Sequence, residues 1–339
     1  MELWTIGIPE VGTAAAQAAR AEEAGWDGLA LTDSQNLVGD PFVFIALAAR
    51  SVERLRFATA VTNAATRHPA ALATIAATVQ EETGGRFVLG IGRGDTALFH
   101  LGRPPMPVAA FTERLADVQA YLGRQTVDAN GHASRLRWLD RARQPKVPLD
   151  VASSGPKVIT FAARCAERVT FAVGADPERL AWAIDLARSA AQDEGRAEPS
   201  LGAYLTIGCH PDHDAARAMI QGSVAAFAHF SAMPGSTGAG LADADREIVA
   251  EVGRRYDSNL HLVNESPQAS ALVPEFVDRF AVIGGPDECI ERLTALAALG
   301  LERFVLTGPG FGADRDAARM AHALLRTEVL PALRQNSRQ

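Results

Sequence analysis

Three glycines at alternate positions follow a short apolar run in the segment GRFVLGIGRGDTALFHLGRPP, which spans residues 85–105. They are Gly90, Gly92 and Gly94, and such a turn after a strand allows close backbone approach, often to a phosphate. The dinucleotide-binding pattern requires a glycine at the sixth position, where this segment has Asp95, and no Gly-Lys-Ser or Gly-Lys-Thr occurs in the chain. The glycines therefore predict a turn that admits a ligand of another kind, with a simple tight turn as the alternative.

Two further loops have a composition suited to a phosphate group. ASSGPK (152–157) and VGADPE (173–178) each end an apolar run and open a helical pattern. They offer hydroxyls, glycines and the N–H groups of a helix start, to which the first loop adds Lys157. Ordinary helix capping by Ser154 and Asp176 is the alternative for each loop alone, whereas the pair on neighbouring strands favours a phosphate site.

Several other chemistries are not indicated. The stretch CHPDH (209–213) lacks a fourth nearby ligand for zinc, so no metal site is predicted. A Schiff-base enzyme needs a lysine at a strand end, but Lys146 precedes a predicted strand and Lys157 lies on a predicted helix. No GxSxG motif of a serine hydrolase occurs.

The composition limits the partners and the compartment. A net charge of −7 argues against a nucleic-acid partner. The three cysteines form no CxxC pair and indicate a reducing environment. No basic-then-apolar leader and no apolar stretch of about 18 residues is present. We therefore expect a soluble, cytoplasmic protein that does not interact with a membrane.

Apolar runs alternate with helical patterns along most of the chain. The runs are continuous rather than alternating, as in a parallel sheet covered on both faces, and eight is the number that closes a (β/α)8 barrel. The predicted strands are Trp4–Ile8, Gly28–Leu31, Arg56–Val61, Phe87–Gly90, Leu149–Ala152, Arg168–Phe171, Ser200–Ile207 and Arg303–Leu306. The predicted helices are Thr13–Ala24, Pro41–Ala49, Pro69–Thr83, Pro156–Ala166, Pro177–Glu194, His213–Phe230 and Pro286–Leu299.

The predicted fold class is α/β, a single (β/α)8 TIM barrel over residues 1–339. Two of the connections between predicted strands are longer than a minimal barrel needs. They predict insertions after strand 4 and before strand 8, at approximately 100–146 and 231–276. Long ordered loops in a compact fold are usually lids or binding loops, with an oligomer interface as the alternative. Barrel sites form at the carboxyl ends of the strands, where the glycine segment and both phosphate-type loops are expected.

The set of segments around these loops resembles the bacterial luciferase-like flavin and deazaflavin oxidoreductases. The resemblance covers nearly the whole chain and is specific only as a set. Its carriers are EEAGWDGLALTDS (22–34), ATAVTNAATRHPAALA (58–73), GGRFVLGIGRGDTAL (84–98), VPLDVASSGPKVITFAARCAERVTFAVGADPE (147–178) and VDRFAVIGGPDECIERLTALAALGLERFVL (277–306). The branch that it resembles in particular is that of the methylenetetrahydromethanopterin reductases, many of which use the deazaflavin F420, while other branches use FMN.

The resemblance implies roles for individual residues. Those implied to face the cofactor ring are Asp33, Ala60, Val61, Asn63 and Gly92. Those implied to hold the cofactor phosphate are Ser153, Ser154, Gly155, Gly174 and Ala175. Those implied to reach the ribityl chain or close the loop are Thr62, Arg93 and Asp95. Relatives often bulge around a non-prolyl cis peptide in the third strand, which is expected here at Ala60–Val61. The candidates for a catalytic acid are Asp33, Arg93, His210 and His261, among which the sequence does not decide.

The function implied by the resemblance is hydride transfer from reduced F420 to a small organic substrate. An FMNH₂-dependent monooxygenase on the same barrel, with a flavin reductase as partner, is the nearest alternative. A non-catalytic flavin-binding barrel and a barrel isomerase or aldolase without a redox cofactor are the others. Methanopterin reductases resemble each other in an acidic residue of the first strand, which aligns near Ile6 here, so pterin reduction itself is not expected. A homodimer is implied by the resemblance alone.

Overall fold

The computed structural model describes residues 1–234, 236 and 238–336. Gly235 and Thr237, within the second predicted insertion, and residues 337–339 lie outside the described residues. All eight predicted strands are present, with ends that differ by no more than two residues. The strands are β1 Glu2–Gly7, β2 Gly28–Leu31, β3 Arg56–Thr59, β4 Thr62–Asn63, β5 Phe87–Gly92, β6 Val127–Ala129, β7 His132–Ser134, β8 Leu149–Ser153, β9 Arg168–Phe171, β10 Ser200–Cys209, β11 Val282–Gly284 and β12 Arg303–Thr307.

The seven predicted helices are also confirmed, and several begin with proline, whose missing N–H costs nothing in the first turn. The helices are α1 Ala14–Glu23, α2 Pro41–Ala48, α3 Pro69–Glu82, α4 Thr96–Phe99, α5 Val108–Leu122, α6 Pro156–Cys165, α7 Pro177–Asp193, α8 His213–Ala232, α9 Asp243–Arg255, α10 Pro274–Phe280, α11 Pro286–Ala297, α12 Arg315–Leu324 and α13 Leu330–Asn336. A π-helical turn, Leu325–Val329, joins α12 to α13. These terminal helices were not among the predicted elements.

The strand order is that of a closed (β/α)8 barrel, as predicted. Hydrogen bonds link the long strands in the order β10, β12, β1, β2, β3, β5, β8 and β9, and β9 pairs again with β10. The fold class is therefore an α/β TIM barrel. Short β4 pairs with the end of β5, and short β11 pairs in parallel with the end of β10.

Contacts within the chain divide it into two compact units. One unit, called here the amino-terminal unit, contains Thr5–Ala152 and Phe161–Val169. The other, called the carboxyl-terminal unit, contains Met1–Trp4, Ser153–Thr160 and Thr170–Gln339. The residues implied to face the cofactor ring fall in the amino-terminal unit, and those implied to hold its phosphate fall in the carboxyl-terminal unit.

Both insertions are present. After β5 the chain forms α4 and α5 and then a hairpin, in which β6 and β7 pair antiparallel. The second excursion is longer than the predicted 231–276. It begins when the chain leaves β10 after Cys209 and ends when β11 returns to pair with the same strand at Val282. Helix α8 therefore belongs to this excursion, and α11, after β11, resumes the alternation of helix and strand.

Candidate active site

A buried carboxylate stands at the end of β2 in the amino-terminal unit. The side chain of Asp33 is 2% exposed, and its Oδ2 accepts hydrogen bonds from the Thr62 hydroxyl at 2.6 Å and from Arg67 Nη1 at 2.5 Å. The other nitrogen of Arg67, Nη2, donates to Asp40 at 2.7 Å, and the guanidinium lies 5.1 Å from the centre of the Phe42 ring. Although burial lowers the pKa of Arg67, the two carboxylates raise it above its ordinary value. The Asp33 side chain is therefore fixed through one oxygen, Oδ2.

The other oxygen of Asp33 is differently placed. Its Oδ1 has no hydrogen-bond partner among the described residues. The neighbouring Thr32 has a buried hydroxyl that likewise bonds to none of them. Two oxygens at the end of β2 thus have no hydrogen-bond partner among the described residues.

The peptide bond between Ala60 and Val61 is cis, as expected. Strand β3 ends at Thr59 and β4 begins at Thr62, so the bond lies in the interruption between them. The Ala60 N–H donates to the Leu31 carbonyl at 2.7 Å. The third barrel strand therefore bulges at the position that the resemblance implied.

The glycines of β5 have a local reason that the sequence did not show. A Cβ at Gly90 would lie 1.9 Å from the Thr59 carbonyl oxygen, and one at Gly92 would lie 2.9 Å from Val61 Cγ2. Gly94 has a φ of +78°, which favours glycine. Gly90 and Gly92 therefore admit the bulge of the neighbouring strand, and the role of Gly92 at the cofactor stays a prediction.

Two other predicted cofactor residues, Asn63 and Arg93, shape loops. Asn63 is buried, and its Oδ1 accepts from the N–H groups of Ala65 and Thr66 at 3.1 and 2.9 Å. Arg93 Nε donates to the Met106 carbonyl at 2.7 Å, and the Met106 N–H donates to the Arg93 carbonyl at 3.1 Å. Burial lowers the pKa of Arg93. Arg93 thus fastens the loop after α4.

The first phosphate-type loop lies in the carboxyl-terminal unit between β8 and α6. Ser153 and Gly155 are buried. The Ser154 hydroxyl donates to the Phe230 carbonyl at 3.1 Å and lies 2.9 Å from the Ser236 hydroxyl. Ser154 therefore ties the loop to the end of α8 instead of capping α6.

The second phosphate-type loop is held by groups that the sequence did not single out. The Ala175 N–H donates to the Phe280 carbonyl at 2.8 Å, and a Cβ at Gly174, whose φ is +86°, would lie 2.6 Å from the Phe280 ring. The Ala175 carbonyl accepts from Arg292 Nη2 at 2.9 Å. The Ala175 N–H is thus occupied within the fold, and Arg292 places a positive group beside the loop.

Arg179, in the first turn of α7, adds a second positive group behind this loop. Arg179 is 1% exposed, and its Nη1 donates to the Val173 carbonyl at 2.9 Å. Nη2 is buried and has no partner among the described residues. Burial lowers the pKa of Arg179 to about 10, so its charge is incompletely compensated by the protein. The signal available in the sequence was an arginine three positions after a capping aspartate, Asp176.

The two candidate histidines make contacts within their own segments. His210 Nδ1 accepts from the Asp212 N–H at 3.0 Å. His261 Nδ1 hydrogen-bonds with the Tyr256 hydroxyl, and the Tyr256 ring stacks on that of His229 at 3.6 Å. His229 lies seven residues from Gly222, whose N–H meets the insertion, so this cluster lies on the side of α8 turned toward the insertion. The catalytic role of either histidine stays a prediction.

The CHPDH stretch also folds without a metal cluster. Asp212 caps α8 by accepting from the N–H groups of Asp214 and Ala215, which lower its pKa. Cys209 hydrogen-bonds with buried Cys289 of α11, an interaction that raises the pKa of Cys289. In residues 1–234, 236 and 238–336, no three His, Cys, Asp or Glu side chains are grouped as metal ligands. Over the same residues, no helix has the length and apolar character needed to span a membrane.

Comparison with known proteins gives the family. The model of the luciferase-like monooxygenase family matches residues 5–303. The chain belongs to this family. The resemblance implied by the sequence is thereby confirmed.

Relatives of this luciferase-like chain include several that are similar over nearly their whole length. The 5,10-methylenetetrahydromethanopterin reductase of Methanolobus tindarius is 24% identical, over 88% of this chain and 90% of the relative. The F420-dependent glucose-6-phosphate dehydrogenase of Microbacterium testaceum is 27% identical, over 93% and 91%. The solved structure of the coenzyme F420 dependent tetrahydromethanopterin reductase of Methanopyrus kandleri superposes with a TM-score of 0.74 at 21% identity, covering 98% of this chain and 99% of that one.

Proposed function

We propose that this luciferase-like chain is an oxidoreductase that uses reduced F420 to transfer a hydride to a small organic substrate. The observation that carries the proposal is the similarity, over about nine tenths of both chains, to relatives named for F420-dependent reactions. Pterin reduction is left out of the proposal because Ile6, an apolar residue of β1, stands where those reductases resemble each other in having a carboxylate.

The amino-terminal unit fits the ring of such a cofactor. A flavin or deazaflavin ring has an edge of alternating N–H and carbonyl groups, which needs fixed polar partners. Asp33 Oδ1 and the buried Thr32 hydroxyl have no partner among the described residues, and Arg67 and Thr62 fix the carboxylate through its other oxygen. Buried polar groups of native proteins are nearly always satisfied, so orphaned ones indicate a ligand.

The carboxyl-terminal unit fits the cofactor phosphate. Arg179 and Arg292 donate to carbonyls of the loop Val173–Ala175 and so place two positive charges behind it. The loop opens α7, a helix of 17 residues whose amino terminus also favours an anion. A phosphate near this loop compensates the buried charge of Arg179, which the protein leaves partly uncompensated.

The bound cofactor supplies the hydride, and the chain supplies orientation. Of the four candidate catalytic residues, we retain Asp33 for a direct role, as an acceptor for a ring N–H. Arg93 positions the loop after β5 through Met106, and we propose no proton transfer by it. His210 and His261 make hydrogen bonds within their own segments, and neither is proposed as the acid.

The test is titration of the purified protein with F420 and, separately, with FMN, followed by ring fluorescence. The expected result is F420 binding at micromolar or lower Kd, weakened by Thr32→Val. The matched control is Thr59→Val, whose hydroxyl is bound to the Gly90 carbonyl and has no open bond to offer. Preference for FMN would replace hydride transfer by oxygen chemistry with a flavin reductase as partner, and binding of neither cofactor would reject the proposal.

A second titration tests the phosphate loop. The F420 deazaflavin is compared with its riboside, which has the same ring and lacks the phosphate. We expect Arg292→Met to weaken binding of F420 and to leave binding of the riboside unchanged. Equal weakening of both ligands would show that Arg292 supports the fold of the loop and does not attract the anion.

We also propose that the chain forms a homodimer. Helix α2 exposes two apolar side chains four residues apart on one face, Val43 and Leu47, each 60% exposed. Leu37, just before this helix, is 54% exposed. Adjacent exposed apolar side chains are typical of an interface between copies.

A further inference from the structure

Helix α8 covers one face of β10 within the carboxyl-terminal unit. The Tyr204 ring in β10 lies 6.0 Å from the Phe227 ring in α8. A Cβ at Gly208 would lie 2.7 Å from the carbonyl oxygen of Ala216, in the first turn of α8. Since side chains alternate along a strand, Thr206 points to this same covered face.

The opposite face of β10 packs on a barrel helix. Cys209 hydrogen-bonds with Cys289 of α11, and its neighbours on that face are the apolar Leu205 and Ile207. In a (β/α)8 barrel the helices pack on the outside of the strands. The face that carries Tyr204 and Thr206 is therefore the inner one, close to the carboxyl end of the strand.

Two threonine hydroxyls stand side by side on this inner face. In the parallel pairing of β10 with β12, Thr206 is the direct neighbour of Thr307. Both hydroxyl oxygens are buried and bond to none of the described residues. Thr206 is 2% exposed, so bulk water does not hydrogen-bond to its hydroxyl. We call these two side chains the hydroxyl pair.

The neighbours of the hydroxyl pair along the two strands are aromatic and apolar. They are Tyr204 and its register neighbour Val305, and the Tyr204 ring lies 6.0 Å from that of Phe227. Arg303, on the same face of β12, directs Nη2 to the Thr170 hydroxyl at 2.8 Å and Nη1 to that of Ser200. Because Ser200 begins β10, the guanidinium points to the amino end of the strands, away from the hydroxyl pair.

A hydroxyl both donates and accepts, and neighbouring strands set two of them about 5 Å apart. Such a pair can hold one neutral oxygen from two sides, whereas a phosphate or carboxylate needs cationic groups or many N–H donors. We propose that the hydroxyl pair binds the oxygen of a neutral carbonyl or alcohol group of the organic substrate beneath α8. The reaction in this inference rests on the proposed function, whereas the binding site rests on the two orphaned hydroxyls alone.

The reaction that this placement would serve is the reduction of a ketone. A ketone and the reduced cofactor give a secondary alcohol and the oxidised cofactor. One hydride from the reduced cofactor would form the new C–H bond at the carbonyl carbon, the electron pair of the C=O π bond would move to the oxygen, and one proton from water would add there, while the cofactor would release one proton on oxidation. The hydroxyl pair holds the oxygen on which charge develops, and it polarises the carbonyl toward hydride attack.

The first experiment measures thermal unfolding of the ligand-free protein. Thr206→Val replaces the hydroxyl with a methyl group of nearly the same shape and removes an unsatisfied buried group, so we expect the midpoint to rise by about 2 °C or more. Thr170→Val is the matched control, since its hydroxyl is bound to Arg303, and we expect its midpoint to fall. A fall for Thr206→Val would mean that its hydroxyl is satisfied within the fold and would overturn the proposal.

The second experiment measures turnover with a panel of neutral ketones and alcohols, with pyruvate and glucose 6-phosphate as charged comparators. We expect turnover of neutral compounds, and a KM that rises about twofold to tenfold in Thr206→Val or Thr307→Val while the F420 Kd is unchanged. A charged preferred substrate, no turnover of any neutral compound, an unchanged KM or a raised F420 Kd would each overturn the assignment. Failure of the wild-type protein to bind F420 would reject the proposed function instead, and the thermal experiment would still decide whether the hydroxyls are orphaned.

Discussion

Removal of the Arg67 guanidinium tests whether the ion pair at the end of β2 holds Asp33 in place. In Arg67→Met the carboxylate keeps its hydrogen bond from Thr62 but loses the counter-ion whose Nη1 lies 2.5 Å away, while the Asp33 side chain stays 2% exposed. Breaking a buried pair by removing one partner costs about 3–5 kcal/mol, because the remaining charge is left uncompensated. Since Arg67 itself is 20% exposed, we place the expected loss at the lower end, about 3 kcal/mol.

The matched control is Arg50→Met in the same unit. Arg50 pairs with Glu82 at 3.1 Å, and the two side chains are 76% and 50% exposed. Exposed pairs of this kind contribute about 0–1 kcal/mol. The measurement is thermal and urea unfolding of both variants and of the double variant Arg67→Met/Asp33→Asn, and their free energies of unfolding are compared. Adding Asp33→Asn removes the uncompensated charge, so we expect it to restore part of the lost stability. Equal small losses for Arg67→Met and Arg50→Met, or no recovery in the double variant, would refute a buried charge pair.

Three further perturbations follow from single contacts. Gly90→Ala places a methyl group against the Thr59 carbonyl, and we expect it to lower the free energy of unfolding in urea by about 1–3 kcal/mol or more. Gly308→Ala is the near-neutral control, because the nearest atom to its added methyl group lies at an ordinary 3.7 Å. Val43→Glu with Leu47→Glu is expected to convert a dimer into a monomer in light scattering, and a wild-type monomer would reject the dimer itself. The pKa of Asp212 is lowered by N–H groups of α8, so the stability that it contributes is present at neutral pH and is lost as the pH falls through that lowered value. Thermal melts of wild type and Asp212→Ala are therefore expected to differ at pH 7 and to converge in acid.

Most of the barrel could be predicted because its signals are local. Continuous apolar runs such as Phe87–Gly90 are followed by polar or glycine positions, and helix ends such as Gly25 and Gly84 have the positive φ that glycine tolerates. β11 was missed because three residues are too few for a pattern. The role of α8 was missed because an apolar helical pattern is the same whether the helix packs outside a barrel or crosses the carboxyl ends of its strands.

The site was less predictable, because the contacts that define it join distant residues. Glycine is required at position 90 because the Thr59 carbonyl, 31 positions earlier, leaves no room for a Cβ. Arg292 binds the carbonyl of Ala175, 117 positions earlier. The position of the cis bond came from the family resemblance, since no propensity in the sequence marks Ala60–Val61. Asp33 came from the same resemblance, and its pairing with Arg67 required the fold.

Threonines show why a residue type alone does not give a site. In the amino-terminal unit the Thr62 hydroxyl is bound to Asp33, while that of Thr32 is orphaned. In the carboxyl-terminal unit the Thr170 hydroxyl is bound to Arg303, while those of Thr206 and Thr307 are orphaned. A bound hydroxyl stabilises the fold, whereas a buried orphan costs stability that valine would recover at the same shape. In our proposal a ligand explains threonine at these orphaned positions, and valine substitutions at bound and orphaned positions should change stability in opposite directions.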